Sequence, residues 1–561
     1  MKLKLLTLFT ICMCFGLQAQ HIYVKPLGTG DGSSWANATS LGSALASSLS
    51  SGDKIHIAAG TYRPSVTITN GDTAVGADND LTFEIKQNVE LIGGYSQNPT
   101  TGEAPNPSVN ETILSGLLEN DSQVNHVIAV TAPKIDGESV KLYGLTIKEG
   151  HASDESGAGT SGELIINDLF YPRNYGAGII AAGSRLEIDE CIISNNTAVA
   201  HGVAMLIHQE AEIVVNNSKI IDNGDVAVSS NGVGMWLRNS TGTFNNCTVA
   251  GNETSGVGSG VYIYTTAKLN MNNCTIANNI AGARGGAIYA RGTSDAVLIN
   301  CTISGNSATN YGGGIHTYGS SVIDVISSTI TNNNAPNGGG VHNTDSNGCS
   351  INLYNSIVSG NFNGDGMTSL EIGGTITTIS SIVGEEVFDA SGTITSGTFD
   401  ASTMLDELSD NGGDTATCKL LLEDNNPAID SGMTVAELQT LGATYSPVLS
   451  NDLLAKDQLA NDRVSNNMGA LDYSATLTIE GNYSVNHFEL YPNPATQGYV
   501  VIRNSSNETI AVSLYDVIGN LVLRENKLAD NVLDISRVSS GMYLMQISQG
   551  NSVETKKLIV K

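Results

Sequence analysis

Cys274-Thr-Ile-Ala-Asn-Asn279 and, one period on, Cys301-Thr-Ile-Ser-Gly-Asn306 carry the reading that decides the fold. The same six-residue frame begins at Cys191, Ser218, Cys247, Ser328 and Ser356, so that the seven copies start 27, 29, 27, 27, 27 and 28 residues apart. In each copy the third residue is Ile or Val and the sixth is Asn. Side chains alternate along a strand, so the Cys or Ser and the Ile or Val two positions later point inward while the residue between them points out. A second strand precedes the frame with the same inward parity, in Leu269 and Met271, Ala296 and Leu298, Ile323 and Val325, and Ile351 and Leu353. A third follows glycines, in Gly285-Gly-Ala-Ile-Tyr289, Gly313-Gly-Ile-His316 and Gly339-Gly-Val-His342. Three short strands per coil of about 27 residues, stacked at ~4.8 Å, predict an all-β solenoid, the right-handed parallel β-helix.

The rest of the chain fits that frame. Only 14% of the 561 residues are charged and 5% aromatic, while 62 are glycine. The charge is too sparse for a helical chain, and a hydrophobic fraction of 40% is too high for a disordered one. A net charge of −29 excludes nucleic acid as a partner, because a polyanion is held by Lys and Arg that displace its counterions. Lys2 and Lys4 ahead of the apolar run Leu5 to Leu17, followed by small Ala19, predict a secretory signal peptide over 1–19. That run is shorter than the ~20 residues of a membrane span. The mature chain is expected to be exported, soluble and monomeric. At the ends of the stack, Leu41 to Leu49 with Ser40 as N-cap reads as a short helix over the first coil. The segment after Gly384 loses the period and reads as closing the other end. Residues between 150 and 175 read as a loop inserted between coils.

Stacking turns each fixed position into a column. Asn196, Asn223, Asn252, Asn279, Asn306, Asn333 and Asn361 form one without a gap. A structural ladder is expected, because Asn tolerates left-handed backbone angles and its amide can bond to the copies above and below. Cys191, Cys247, Cys274 and Cys301 form another, read as buried reduced thiols serving as small apolar filling, since Ser replaces Cys in three coils. Cys349 and Cys418 have no assignment.

The most informative column follows the glycines. With Met205, Met235, Val261, Ile288, Ile315 and Val341 as inward anchors, outward side chains fall one and three residues later. These are Leu206 and His208, Trp236 and Arg238, Tyr262 and Tyr264, Tyr289 and Arg291, His316 and Tyr318, and His342 and Thr344. In so aromatic-poor a chain, five Trp or Tyr rings on one face, with two Arg and three His, are a concentration. Flat rings suit the apolar faces of sugars, polar donors suit their hydroxyls, and an extended glycan repeats at close to the step of one coil. The candidate polysaccharide-binding residues are therefore Trp236, Arg238, Tyr262, Tyr264, Tyr289, Arg291, His316, Tyr318 and His342. The competing reading is that outward rings only stabilise the sheet by cross-strand packing.

No catalytic residue can be assigned. A lyase needs a Lys or Arg base beside groups that neutralise a uronate, and Arg238, Arg284 and Arg291 are available, but Asp and Glu are sparse in the same columns. An inverting hydrolase needs paired carboxylates, and Asp222 and Asp225 read better as turn residues. Asp78-Asn-Asp80 is the only hint of calcium, with otherwise no cofactor evident. His316 and His342 are stacked neighbours, too few to define a metal site.

Several stretches resemble known families. Gly285-Gly-Ala-Ile288 and Thr302-Ile-Ser-Gly-Asn306 resemble the repeats of polymorphic outer membrane proteins, and Gly52-Asp-Lys-Ile-His-Ile-Ala-Ala-Gly-Thr-Tyr62 is similar to the opening of many secreted β-helix proteins. Asn411-Gly-Gly-Asp414, Asn426-Pro-Ala-Ile-Asp-Ser-Gly432, Asn461-Asp-Arg463 and Met468-Gly-Ala-Leu-Asp-Tyr473 resemble the tail of the choice-of-anchor Q domain. Phe488-Glu-Leu-Tyr-Pro-Asn-Pro494, Val512-Ser-Leu-Tyr-Asp-Val-Ile-Gly519, Ser540-Gly-Met-Tyr-Leu544 and Lys556-Lys-Leu-Ile-Val-Lys561 resemble a type A sorting domain of the type IX secretion system. From residues alone this last segment is a small Ig-like β-sandwich with turns at Pro492-Asn493 and Gly519-Asn520. The resemblance implies recognition by the type IX machinery, passage across the outer membrane, removal of the domain, and either attachment to the cell surface or release.

The resulting map is a signal peptide over 1–19, a β-helix with its N-terminal cap over 20–400 and a choice-of-anchor Q-like end segment over 401–473. A linker over 474–487 and the sorting domain over 488–561 complete it. The functional expectation is an adhesin-like or polysaccharide-binding surface protein, meeting an extracellular polysaccharide or a host or cell surface. The alternative is a polysaccharide lyase or glycoside hydrolase working on the same face.

Overall fold

The computed structural model describes residues 19–561 except 72, 76–77, 154–162, 345–347, 366–367, 385, 389–393, 397–400, 422–425, 473–487, 504–509, 517–520, 526, 529–530 and 550–551. The signal peptide ahead of Ala19, the linker and the Gly519-Asn520 turn expected from sequence lie outside the described residues. The chain falls into two compact units, one up to Tyr473 and one from Ser474.

Among the described residues of the first unit, three long sheets of 12, 13 and 10 strands take one strand from each coil, apart from the last two strands of the second sheet. The registers are those the repeat implies. Leu269 lies beside Ala296 and Met271 beside Leu298 in the first sheet, Ile276 beside Ile303 in the second, and Val261 beside Ile288 in the third, all parallel. The inward residues merge into one core that runs from Ile22 to Val383 and takes in the four column cysteines. All six described cysteines are buried free thiols, and burial pushes the Cys247 and Cys274 thiols well above their usual range.

The asparagine ladder is continuous. Asn252 gives its backbone N–H and a side-chain N–H to Asn279 Oδ1 at 3.1 and 2.9 Å, and Asn279 gives the same pair to Asn306 at 3.0 and 2.8 Å. The second amide hydrogen goes to a backbone carbonyl, that of Val249 in the case of Asn279 (3.0 Å). The N–H of Gly150 opens the ladder at Asn196 Oδ1 (3.0 Å), and Glu371 ends it, accepting from Asn361 Nδ2 at 2.7 Å. Each buried amide left unpaired would cost ~1–3 kcal/mol, so the column holds only because its members satisfy one another. The left-handed angle expected at the ladder falls one residue earlier, on Asn195, Asp222, Gly251, Asn278, Gly305, Asn332 and Gly360. The corner is turned there, which leaves the next side chain pointing inward.

Other expectations need correction. The helix after Ser40 spans Leu41–Leu45 and stops short of Leu49, where Ser47 Oγ donates to the Ala44 carbonyl at 2.7 Å and competes with the helical pattern. The inserted loop contains an antiparallel hairpin, Glu163–Ile166 with Leu169–Pro172, that buries Leu164, Ile166 and Tyr171 on the outer side of the third sheet.

The segment after Gly384 does not simply close the stack. Glu386–Phe388 and Ile394–Ser396 extend the second sheet antiparallel, and the chain then runs back along that sheet's outer face. Gln458 Nε2 donates to Thr275 Oγ1 (3.0 Å), Thr302 Oγ1 to Gln458 Oε1 (2.6 Å), and the Ala470 N–H to Thr329 Oγ1 (3.0 Å). Leu438 and Leu454, on helices Val435–Gly442 and Asn451–Leu454, pack on Ile299 and Ile326. Buried Arg463 reaches Asn300 Oδ1 (3.1 Å) and the Gly469 carbonyl (2.9 Å).

In the second unit, antiparallel sheets of three and four strands share one core around Val500, Ile502, Val512, Leu514, Leu533, Met545 and Leu558.

Candidate functional site

The third sheet presents two outward columns. In the first, Leu206, Trp236, Tyr262, Tyr289, His316 and His342 are register partners. Their rings stack, with centroids 5.8 Å apart from Trp236 to Tyr262, then 5.0, 5.1 and 5.0 Å through Tyr289 and His316 to His342. They point away from the coil interior as expected, yet Trp236, Tyr262, Tyr289 and His316 are buried. As a set of solvent-exposed ligand contacts, these four are therefore a correction to the sequence reading.

The cover comes from the turn that enters each strand. Gly285 has φ +61°, and a Cβ there would lie 2.6 Å from the Ile288 carbonyl oxygen and 2.8 Å from Tyr289 Cβ. Backbone thus lies directly on the ring column, at a spacing only glycine permits. The residues just ahead of such glycines complete the roof. His201 and Tyr175 sit 4.7 and 5.5 Å from Trp236, Tyr311 sits 5.6 Å from His316, and Val257 joins the same cluster. Sequence reasoning missed these residues. Their signal is that bulky side chains recur immediately before a glycine, a place where a solvated turn has no use for them.

The second column stays open. Arg238, Tyr264, Arg291 and Tyr318 are register partners. Arg291 stands 5.6 Å from the ring centroids of both Tyr264 and Tyr318, and Arg238 stands 5.7 Å from Trp236 and 6.0 Å from Tyr264. Arg284, from the glycine turn, stands 6.0 Å from Tyr318. Arg238 and Arg291 are exposed, Tyr318 is 36% exposed and Tyr264 is half-buried. Among the described residues these three arginines form no ion pair. Aromatic faces hold the guanidiniums in place.

At the upstream end of this face, a cleft of about 600 Å³ separates the inserted hairpin from the third sheet, with Tyr175 and Phe170 on one side and His208, Trp236 and Arg238 on the other. Gln209 clamps the two sides, its Oε1 accepting from the Phe170 N–H (3.3 Å) and its Nε2 donating to the Phe170 carbonyl (3.1 Å). The hairpin is braced again by buried Arg173, whose Nε lies 2.9 Å from Asp80 Oδ2, while Asn125 Nδ2 donates to Asp80 Oδ1 at 2.8 Å. Asp80, in the triplet considered for calcium, is therefore neutralised by a guanidinium and serves as an anchor.

The remaining candidates separate in the same way. Asp222 occupies a left-handed corner and Asp225 caps its own turn through the Ala227 N–H (2.8 Å). His316 and His342 approach with Nδ1 atoms 3.1 Å apart. Among the described residues no group of three His, Cys, Asp or Glu is placed to hold a metal ion. Burial holds His316 down to about 3, with the nearby His342 and Arg284 charges acting in the same direction, so its imidazole is neutral at neutral pH.

Comparison with known families agrees with this architecture. Residues 134–283 and 229–381 match the right handed beta helix region, and residues 489–561 match the secretion system C-terminal sorting domain. The molecule is a right-handed parallel β-helix protein with about 27 residues per coil. Its C-terminal domain is a type IX sorting domain, which marks it as cargo for export across the outer membrane. No curated protein matches the chain.

Proposed function

We propose that the protein is a cell-surface or released β-helix that binds extracellular polysaccharide, in an adhesin-like role, along Arg238, Tyr264, Arg291 and Tyr318. The observation that carries this reading is the alternation of guanidinium and phenol on successive coils, exposed at Arg238, Arg291 and Tyr318 and half-buried at Tyr264. Each step is ~4.8 Å, close to the rise of an extended sugar chain, and each offers either a flat face or a fan of donors. The export route supports a partner outside the cell.

A polysaccharide panel tests the proposal. Binding by the full chain should fall at least tenfold in Tyr318→Ala and Arg291→Ala with the far-UV spectrum unchanged. Absence of binding by the parent, or equal binding by the double variant, would sink it. Trp236→Ala and Tyr289→Ala are unsuitable probes, because those rings hold the sheet to its roof. Release of reducing ends or unsaturated products on the same panel would replace the binding reading with a hydrolase or a lyase.

A further inference from the structure

The cleft beneath the hairpin has a feature that the open stripe lacks. His208 Nε2 and Trp236 Nε1 are buried and meet no hydrogen-bond partner, although both side chains line the cleft and are 6% exposed. Orphaned buried donors are rare, because each forfeits its hydration with nothing in exchange.

The state of His208 follows from its neighbours. Gln209 Oε1 accepts from the Phe170 N–H, which fixes the orientation of the amide and makes Nε2 the side facing His208 Nδ1, at 3.3 Å. A donor facing Nδ1 makes that atom the acceptor, so the proton sits on Nε2. Burial, with the Arg238 charge beside it, holds His208 down to about 3, so the ring is neutral. The lining therefore combines two orphaned N–H donors with one cation, Arg238, that is paired to no carboxylate among the described residues. Tyr175, Phe170 and Pro172 add flat apolar walls, Asn174 adds an amide, and the single carboxylate of the lining, Glu163, is exposed on the hairpin side.

We propose that this cleft binds an acidic sugar residue, its carboxylate taken by Arg238 and the His208 and Trp236 N–H groups and its ring held against Tyr175. The inference rests on the reading of the adjoining stripe as a polysaccharide surface and adds the class of sugar. Arg238 is exposed and stands 5.7 Å from the centroid of the Trp236 ring, within reach of a ligand in the cleft. The lining favours an anion over a neutral sugar because its orphaned groups are all donors. Sulfated sugars share that chemistry and form a separate arm of the test.

Trp35 and Trp236 are the two tryptophans of the chain, so full-length protein carrying Trp35→Phe reports on the cleft alone. Titration with uronic-acid oligosaccharides should give a saturable change in emission. The same oligosaccharides after carboxyl reduction should bind at least tenfold more weakly, and His208→Phe and Arg238→Gln should each weaken the uronate at least tenfold. Arg238→Gln alters an exposed side chain and keeps the test decisive even if His208→Phe fails to fold. Silent emission, an equal response to the reduced sugars, or a response to sulfated but not carboxylated oligosaccharides overturns the proposal. Tyr318→Ala separates it from the broader reading. If long-chain binding falls in that variant while Trp236 stays silent, the stripe stands and the cleft falls. If Trp236 responds to short uronates while Tyr318→Ala binds long chains normally, the cleft stands and the stripe falls.

Discussion

Two columns of side chains leave the same strands on the same side, two residues apart, and meet opposite fates. Trp236, Tyr262, Tyr289 and His316 are roofed by the glycine turns and become a second core outside the first. Arg238, Arg291 and Tyr318 stay exposed, and half-buried Tyr264 packs against the edge of the roofed cluster. Strand parity decides which side of a sheet a residue takes, and what lies over that side decides whether the residue is packed or left open.

Substitutions should split the columns by size of effect. Tyr289→Ala should cost about 3–5 kcal/mol in chemical denaturation of the first unit, as large-to-small changes in packed cores do; a loss below ~1 kcal/mol would mean the roof is loose. Acid should act on the roofed column through His316. Its imidazole binds a proton near its usual 6.5 when unfolded but only at about 3 when folded. Stability is therefore complete above pH 6.5 and declines as pH falls toward 3, at up to about 1.4 kcal/mol per pH unit. His316→Phe should flatten that decline in denaturation curves recorded between pH 4 and 7. In the open column, Arg291→Gln should cost only about 0.5–1 kcal/mol, the scale of exposed cation–π pairs, and an unchanged midpoint would show that the stacking adds nothing. Smallest of all, Tyr318→Ala should shift stability by about 0.5 kcal/mol or less, so that its effect is read in polysaccharide binding.

What recurs every coil was legible from sequence, because a residue that hydrogen-bonds or packs against its own copy must reappear at the same phase. The asparagine ladder, the cysteine column and the register of the third sheet are of this kind. The roof was not legible, since Tyr175, His201, Val257 and Tyr311 share a position but not a residue type. Nor was the path of residues 401–472. Thr275, Thr302 and Thr329 lie where Lys219 stands in an uncovered coil, and their hydroxyls are taken by Gln458 and Ala470, far along the chain. One substitution pattern marked that track, and nothing nearby in sequence said what would occupy it. The cleft needed the hairpin, whose contacts with Gln209 and Asp80 occur once.

The ladder also rules where this molecule can change length. From the Cys or Ser column to the ladder asparagine is five residues in all seven copies, because both ends are pinned by hydrogen bonds to neighbouring coils. From the asparagine to the third-sheet anchor is nine in four coils, but eight from Asn333 to Val341, twelve from Asn223 to Met235, and 29 from Gly150 to Ile179. That corner is a splice point: segments of very different size enter and leave there without disturbing the pitch of the stack. It borders the cleft, so the corner that varies most in length from coil to coil is the one beside the proposed binding site.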